Sequence, residues 1–164
     1  MNEESLQTKS LRLVLKSPAE TRAMIEAMSP EDRAQVSPDW VARMEAASTA
    51  DPWLHGFSVV LRENEAPVGS AAFKSPPMDG GVVEIAYGIA PEYQGRGFAT
   101  EAAEALTAFA FESGLVRVVR AHTLPESNAS ARVLTKCGFR CLGEVIDPED
   151  GLVWRWEKSI EEMV

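Results

Sequence analysis

The chain has 164 residues, enough for one domain around one core, and its 45% hydrophobic and 25% charged residues are ordinary for a globular protein. With 25 acidic against 16 basic residues the net charge is −9, which disfavours nonspecific binding to DNA or RNA and suits a cationic substrate such as an amine, though it serves solubility equally well. No apolar run is long enough to span a bilayer, and Met1-Asn2-Glu3-Glu4-Ser5 is too polar for a secretory signal, so a cytoplasmic protein is expected.

Residues 11–15 alternate as a strand. Ser17-Pro18 with Glu20 reads as a helix start, continued at helical spacing by Ala23, Met24, Ala27 and Met28. Ser37-Pro38 repeats the signal ahead of Trp40, Val41, Met44 and Ala47. Residues 57–62 and 68–74 are strands, joined by Asn64-Glu65-Ala66-Pro67 as a hairpin. After the loop at 76–81, residues 82–89 form the next strand. Residues 95–113 make the longest helix, with Phe98, Ala102, Leu106, Phe109 and Ala110 on one face and Gly114 as its stop. A strand at 116–122, a short helix at 127–136, a strand from Gly138-Phe139 and a last strand at 152–157 complete the chain. Cys137 and Cys141 are the only cysteines; they make no zinc site and are expected to be buried thiols.

Gln94-Gly95-Arg96-Gly97-Phe98-Ala99 sits at a strand-to-helix turn. Glycines there let the backbone approach a ligand, and the helix that follows offers unpaired N–H groups and the positive end of its dipole. The turn therefore reads as a phosphate or pyrophosphate site. Thr100 stands where a dinucleotide fingerprint needs its third glycine, and no Lys-Ser or Lys-Thr follows, so neither common nucleotide motif accounts for it. In the strand before it, Glu84, Ala86 and Gly88 share a small, ligand-accessible face, while Val83, Ile85, Tyr87 and Ile89 form a bulky face that reads as core.

The run from Ala90 to Ala102, containing Gln94-Gly95-Arg96-Gly97-Phe98-Ala99-Thr100, resembles the acyl-CoA-binding signature of the GCN5-related N-acetyltransferases. Ser127-Asn128-Ala129-Ser130-Ala131-Arg132-Val133-Leu134 with Lys136-Cys137-Gly138-Phe139 resembles the second signature of that family, and the whole is most similar to the ribosomal-protein N-terminal acetyltransferase (RimJ/RimL-like) branch. The resemblance implies one acyl-CoA N-acyltransferase domain over residues 1–164, with its core at about 8–158. The implied fold is α/β (α+β): a mixed, mostly antiparallel central sheet of six to seven strands flanked by about four helices. It implies acetyl-CoA as cosubstrate, no metal, and direct transfer of the acetyl group to a primary amine on a protein N-terminus or a small molecule. The expected partners are that acceptor alone, with no nucleic acid or membrane, for a monomer or homodimer.

The same resemblance implies site residues. The amides of Gly95, Arg96, Gly97, Phe98, Ala99 and Thr100 would hold the CoA pyrophosphate, with Gln94 opening the loop and the Arg96 charge nearby. The pantetheine arm would pair with the backbone of Tyr87, Gly88 and Ile89, and the Ile89 N–H would polarise the thioester carbonyl. Glu84 is a candidate general base and His122 a second. His55 is a candidate for lining the acceptor pocket with Trp40, Met44 and Trp53, and all four fit core equally well. Many relatives protonate the departing thiolate with a tyrosine four residues before the Gly-Phe pair; that position is Leu134 here, and Ser130 is the nearest replacement. Ser127 stands where relatives carry an asparagine that bonds the cofactor arm, and the adjacent Asn128 is the alternative. These departures keep a second class of reading open, an acyl-CoA-binding sensor or scaffold without turnover.

Overall fold

A computed structural model of the protein describes residues 5–36, 38–46, 50–126, 128–148 and 151–163. Aliphatic residues at every second position build eight strands: β1 (Ser5–Gln7), β2 (Leu11–Leu15), β3 (Phe57–Leu61), β4 (Pro67–Phe73), β5 (Val82–Ile89), β6 (Val118–Thr123), β7 (Arg140–Asp147) and β8 (Gly151–Ser159). They form one sheet in the order β1-β2-β3-β4-β5-β6-β8-β7. Every pairing is antiparallel except β5 with β6, so the sheet is mixed and mostly antiparallel, as expected.

Among the described residues six helices accompany it: α1 (Pro18–Ala27), α2 (Pro30–Ala34), α3 (Pro38–Ala46), α4 (Pro52–His55), α5 (Phe98–Glu112) and α6 (Ala129–Lys136). The elements beyond the expected number are β1, α2 and α4. Each spans five residues or fewer, too short for a period to register, and α2 buries no residue at all. The Ser17 signal holds: its Oγ accepts from the Glu20 N–H at 3.1 Å and the Glu20 carboxylate accepts from the Ser17 N–H at 2.8 Å. Such a capping box is worth about 1 kcal/mol. The matching signal at Ser37, the residue Ala47 and the side chain of Trp40 lie outside the described part of the chain.

One face of the sheet is the main core. Leu11, Leu13, Val59, Val83, Ile85 and Val119 are buried there together with Ala102, Leu106 and Ala110 of α5. A smaller cluster of Ile25, Val41 and Met44 joins α1 to α3. Period-2 alternation therefore turns Glu84 on β5 and Arg120 and His122 on β6 to the opposite face.

The parallel contact between β5 and β6 is short. It pairs Val82, Val83 and Glu84 with Val118, Val119 and Arg120, and then the two strands part. On its other side β5 stays paired with β4 as far as Ile89. The Lys74 N–H donates to the Glu84 carbonyl at 2.9 Å and the Ala90 N–H to the Val68 carbonyl at 2.8 Å. By the alternation of an antiparallel ladder, residues 84, 86, 88 and 90 turn their peptide groups to β4, while Tyr87 and Ile89 turn theirs into the gap.

Candidate active site

Gly95 and Gly97 both have left-handed backbones, with φ of 80° and 85°. A side chain there would be strained although it would meet no atom within 4 Å, so conformation requires the glycines and space is left in front of them. For the same reason α5 begins at Phe98 and not at residue 95: Gly97 is its N-cap. The first-turn N–H groups of Phe98, Ala99 and Thr100 are donors without helical acceptors, which is the expected anion site. The turn opens on a cavity of about 380 Å³ between α5, α6 and the parted edge of β5. Its walls bring together ten of the residues singled out from the sequence: Tyr87, Gly88, Ile89, Gln94, Gly95, Gly97, Phe98, Ala99, Thr100 and Ser130.

Local bonds shape this cavity. Gln94 folds back so that its Nε2 donates to the Ile89 carbonyl at 2.9 Å, which leaves the Ile89 N–H as the group aimed into the gap. Tyr87, expected in the core, is partly buried against it and also lines the cavity, where its phenol oxygen accepts a hydrogen bond from Ser130. Burial pushes the Tyr87 hydroxyl well above its ordinary range, the nearby Cys137 adds to this, and the Ser130 bond opposes it. Leu134 is fully buried core, so α6 offers hydrophobic packing where relatives carry an acid.

Other sequence candidates fall elsewhere. Arg96 lies over the Tyr93 ring, 5.6 Å from its centre, and is not part of the cavity wall. Asn128 is the N-cap of α6, its Oδ1 accepting from the Ala131 N–H at 2.9 Å, so its carbonyl oxygen is used within the chain. Ser127 lies outside the described residues. Sequence reasoning missed Tyr93, Arg132, Val133 and Lys136 in the wall. The i, i+4 spacing of Arg132 and Lys136 on a helix that begins at Asn128 was the signal available for the two cations.

On the opposite face of the sheet Glu84 and His122 meet, with His122 Nδ1 3.0 Å from Glu84 Oε2. The Lys74 ammonium is 3.4 Å from the same oxygen, the Arg155 Nε donates to His122 Nε2 at 3.1 Å, and Asp147 Oδ1 is 3.9 Å from His122 Nδ1. None of Lys74, Asp147 and Arg155 was picked out from the sequence, because a strand pattern does not say which strands become neighbours. Glu84, His122 and Asp147 bring potential ligand atoms within 4.8 Å of one another. Lys74 and Arg155 supply the positive charge a metal ion would bring, so the cluster is closed as a hydrogen-bonded group.

Of the residues expected at an acceptor pocket, Met44, Trp53 and His55 pack into cores. Met44 is fully buried, and Trp53 stacks against Phe73 and Phe109 with ring centres 4.7 and 5.4 Å away. His55 is buried in α4, its Nδ1 accepting from the Asp51 N–H at 2.9 Å. Its Nε2, which therefore carries the proton, is buried without a partner among the described residues. The cysteine expectation holds for one residue only. Cys137 caps α6 and is buried, its thiol pushed up to about 12 by burial and by Glu104, against the pull of Lys158. Cys141 is exposed, because β7 is the sheet edge and a register shift at 141–143 turns the strand outward.

Comparisons with known proteins point the same way. A family model described as an acetyltransferase (GNAT) domain matches residues 8–140. The chain is 29% identical over 103 residues to an uncharacterized N-acetyltransferase, p20, of Bacillus licheniformis, a match covering 63% of this chain and 53% of that protein. The chain spans about half the length of the curated relatives it matches. Among solved structures, the ribosomal-protein-S5-alanine acetyltransferase of Vibrio fischeri superposes with a TM-score of 0.68 at 17% identity, covering 94% of this chain and 96% of that one. RimL, the ribosomal L7/L12 α-N-protein acetyltransferase solved with coenzyme A, superposes with a TM-score of 0.69 at 15% identity, covering 96% and 99%. At such identities these structures support the fold, while the family match covers most of the chain: it belongs to the GNAT acetyltransferase domain family.

Proposed function

We propose that this chain is an N-acetyltransferase that moves an acetyl group from acetyl-CoA to a primary amine while both are bound. One observation carries the reading: the glycine cradle at the α5 N-terminus and the unpaired edge of β5 share a single cavity. A pyrophosphate fits the first-turn amides of Phe98, Ala99 and Thr100, with Arg132 and Lys136 supplying charge from α6. An extended arm carrying amides fits the peptide groups of Tyr87 and Ile89 that face the gap. Acetyl-CoA bound there supplies the activated acetyl group. The Ile89 N–H stabilises negative charge developing on the acetyl oxygen, and the Ser130 hydroxyl, in the cavity wall beside Tyr87, turns its one proton from the phenol oxygen to the leaving sulfur.

The acceptor amine approaches from the opposite face, where Glu84 takes its proton. Glu84 and Ile89, whose N–H faces the acetyl oxygen, are five residues apart on one strand, about 17 Å. That exceeds direct hydrogen-bond reach, so the proton travels to Glu84 through water. Transfer is direct, and no nucleophilic side chain is needed. The acceptor is a protein N-terminus or a small-molecule amine, and the protein acts in the cytoplasm as a monomer or homodimer. Two measurements test this reading. CoA, but not ATP or NAD, should raise the melting temperature. Thiol should be released from acetyl-CoA when a panel of peptides, polyamines and aminoglycosides is supplied. CoA protection without thiol release across the whole panel would favour an acyl-CoA-binding module, the reading that the buried Leu134 supports.

A further inference from the structure

Five neighbouring strands bring charged side chains to the sheet face opposite α5, where Arg120 of β6 and Glu157 of β8 form their own ion pair at 2.7 Å, two residues along the ladder from His122 and Arg155. Lys74 follows β4, Glu84 is on β5, His122 on β6, Arg155 on β8 and Asp147 on β7. His122 lies directly across from Arg155 in the β6–β8 ladder, and its side chain is only 4% exposed. A guanidinium can only donate, so His122 Nε2 must accept from Arg155 at 3.1 Å. The imidazole proton is then on Nδ1, where it donates to Glu84 Oε2 at 3.0 Å. This tautomer uses the ring's only lone pair on Arg155 and leaves none for an incoming amine. A proton added at Nε2 would break the Arg155 bond and place two cations together.

We propose that Arg155 is a positioning residue: it locks His122 as a neutral Nδ1–H donor, which holds one Glu84 oxygen and presents the other to the acceptor side. The assignment rests on Glu84 being the base in the reaction proposed above. It removes His122 from the candidates for that role and turns it into the orienting group. Lys74 and Asp147 flank the pair from β4 and β7, at 3.4 Å from Glu84 and 3.9 Å from His122. Neither of them contacts Nε2 in place of Arg155.

Nitrogen-15 NMR of the His122 imidazole in the intact protein, without substrates, at about pH 8, tests the tautomer. The expected spectrum has the proton on Nδ1 and Nε2 bare. A proton on Nε2 overturns the proposal whether or not the protein acetylates anything, so its failure is separable from failure of the enzymatic reading. Arg155→Met removes the donor at similar length. It should shift the ring toward the Nε2–H form and lower kcat about tenfold or more. The KM for acetyl-CoA should stay within about twofold, because the donor cavity is on the other face. Arg155→Lys, still a donor, should recover most of the lost rate and the Nδ1–H tautomer. An Arg155→Met variant with unchanged tautomer and rate would refute the positioning role. If Arg155→Met does not fold, the wild-type spectrum still decides.

Discussion

Gly69→Ala is the sharpest test of how the parted strand is held. Gly69 lies opposite Ile89 in the β4–β5 ladder, beside Gly88. A Cβ at position 69 would overlap the Gly88 carbonyl oxygen and lie 3.1 Å from both the Gly88 carbonyl carbon and Ile89 Cα. All three are backbone atoms of β5, so no side chain can swing away to relieve the contact. Replacing a strand glycine by alanine otherwise stabilises a protein by about 0.4–1 kcal/mol through the unfolded chain. Overpacking against backbone costs about 1–3 kcal/mol, so the clash wins by about 1–2 kcal/mol. For a chain of this size that is a melting-temperature drop of about 2–8 °C. The displaced atoms flank the Ile89 N–H, and a misplacement of about 1 Å at a reacting centre costs on the order of 100-fold in rate. The assay is a thermal melt combined with thiol release from acetyl-CoA. Gly88→Ala is the control, because a Cβ there meets nothing within 4 Å and should leave the melting temperature unchanged or higher. A Gly69→Ala protein that is as stable and as active as wild type would refute the reasoning.

Further outcomes follow from the geometry. Glu84→Gln should lower kcat about 100-fold while CoA affinity measured by calorimetry stays the same, and unchanged turnover would move proton removal to water. Under native conditions at pH 8, iodoacetamide should label the exposed Cys141 and spare Cys137, as peptide mass spectrometry would show. The Cys137 thiol is raised from 9.0 to about 12, so the stability it contributes is complete below about pH 9 and falls as pH climbs toward 12; Cys137→Ala should flatten that alkaline limb. Glu101 shows the opposite sign. Burial raises its pKa, but hydrogen bonds from the Thr8 hydroxyl and the Ser10 N–H outweigh burial and hold it below its ordinary value. Its contribution is therefore present above the ordinary carboxylate range and lost as pH falls through it. Glu101→Gln should remove part of the acid limb of a melting curve against pH, by about 1 kcal/mol at most because solvent screens the group.

The donor half of the site was legible in the sequence because it is local. Gln94 to Thr100 are consecutive, and the strand before them and the helix after them follow from periodicity, so the anion cradle needed no tertiary information. The proposed base was legible as separate candidates: Glu84 and His122 were each visible, but their contact across β5 and β6 was not. Arg155, Asp147 and Lys74 were invisible for the same reason, since the order β6-β8-β7 brings together residues far apart in sequence and leaves no local period. Trp53 and Met44 fit core and pocket equally well in the sequence, because aromatic and sulfur-bearing side chains look alike in both, and the structure places them in core. Tyr87 does both. It packs against the main core as its place on the bulky face predicts, and because β5 has no β6 neighbour beyond Glu84 its phenol also reaches Ser130 at the cavity.

The brief parallel contact between β5 and β6 has a consequence for selectivity among extended chains. Where the strands part, β5 presents an interior sheet edge, and an exposed edge invites any polypeptide with free peptide groups to add itself. This edge faces the cavity that α5 and α6 also line. A polypeptide strand carries alternating side chains to both faces and pairs at about 4.8 Å along its whole length. An arm with two amides and no alternating side chains needs less room. A guest of that kind whose anionic end sits in the neighbouring cradle has its amides held beside the open edge, so the two recognition elements select together.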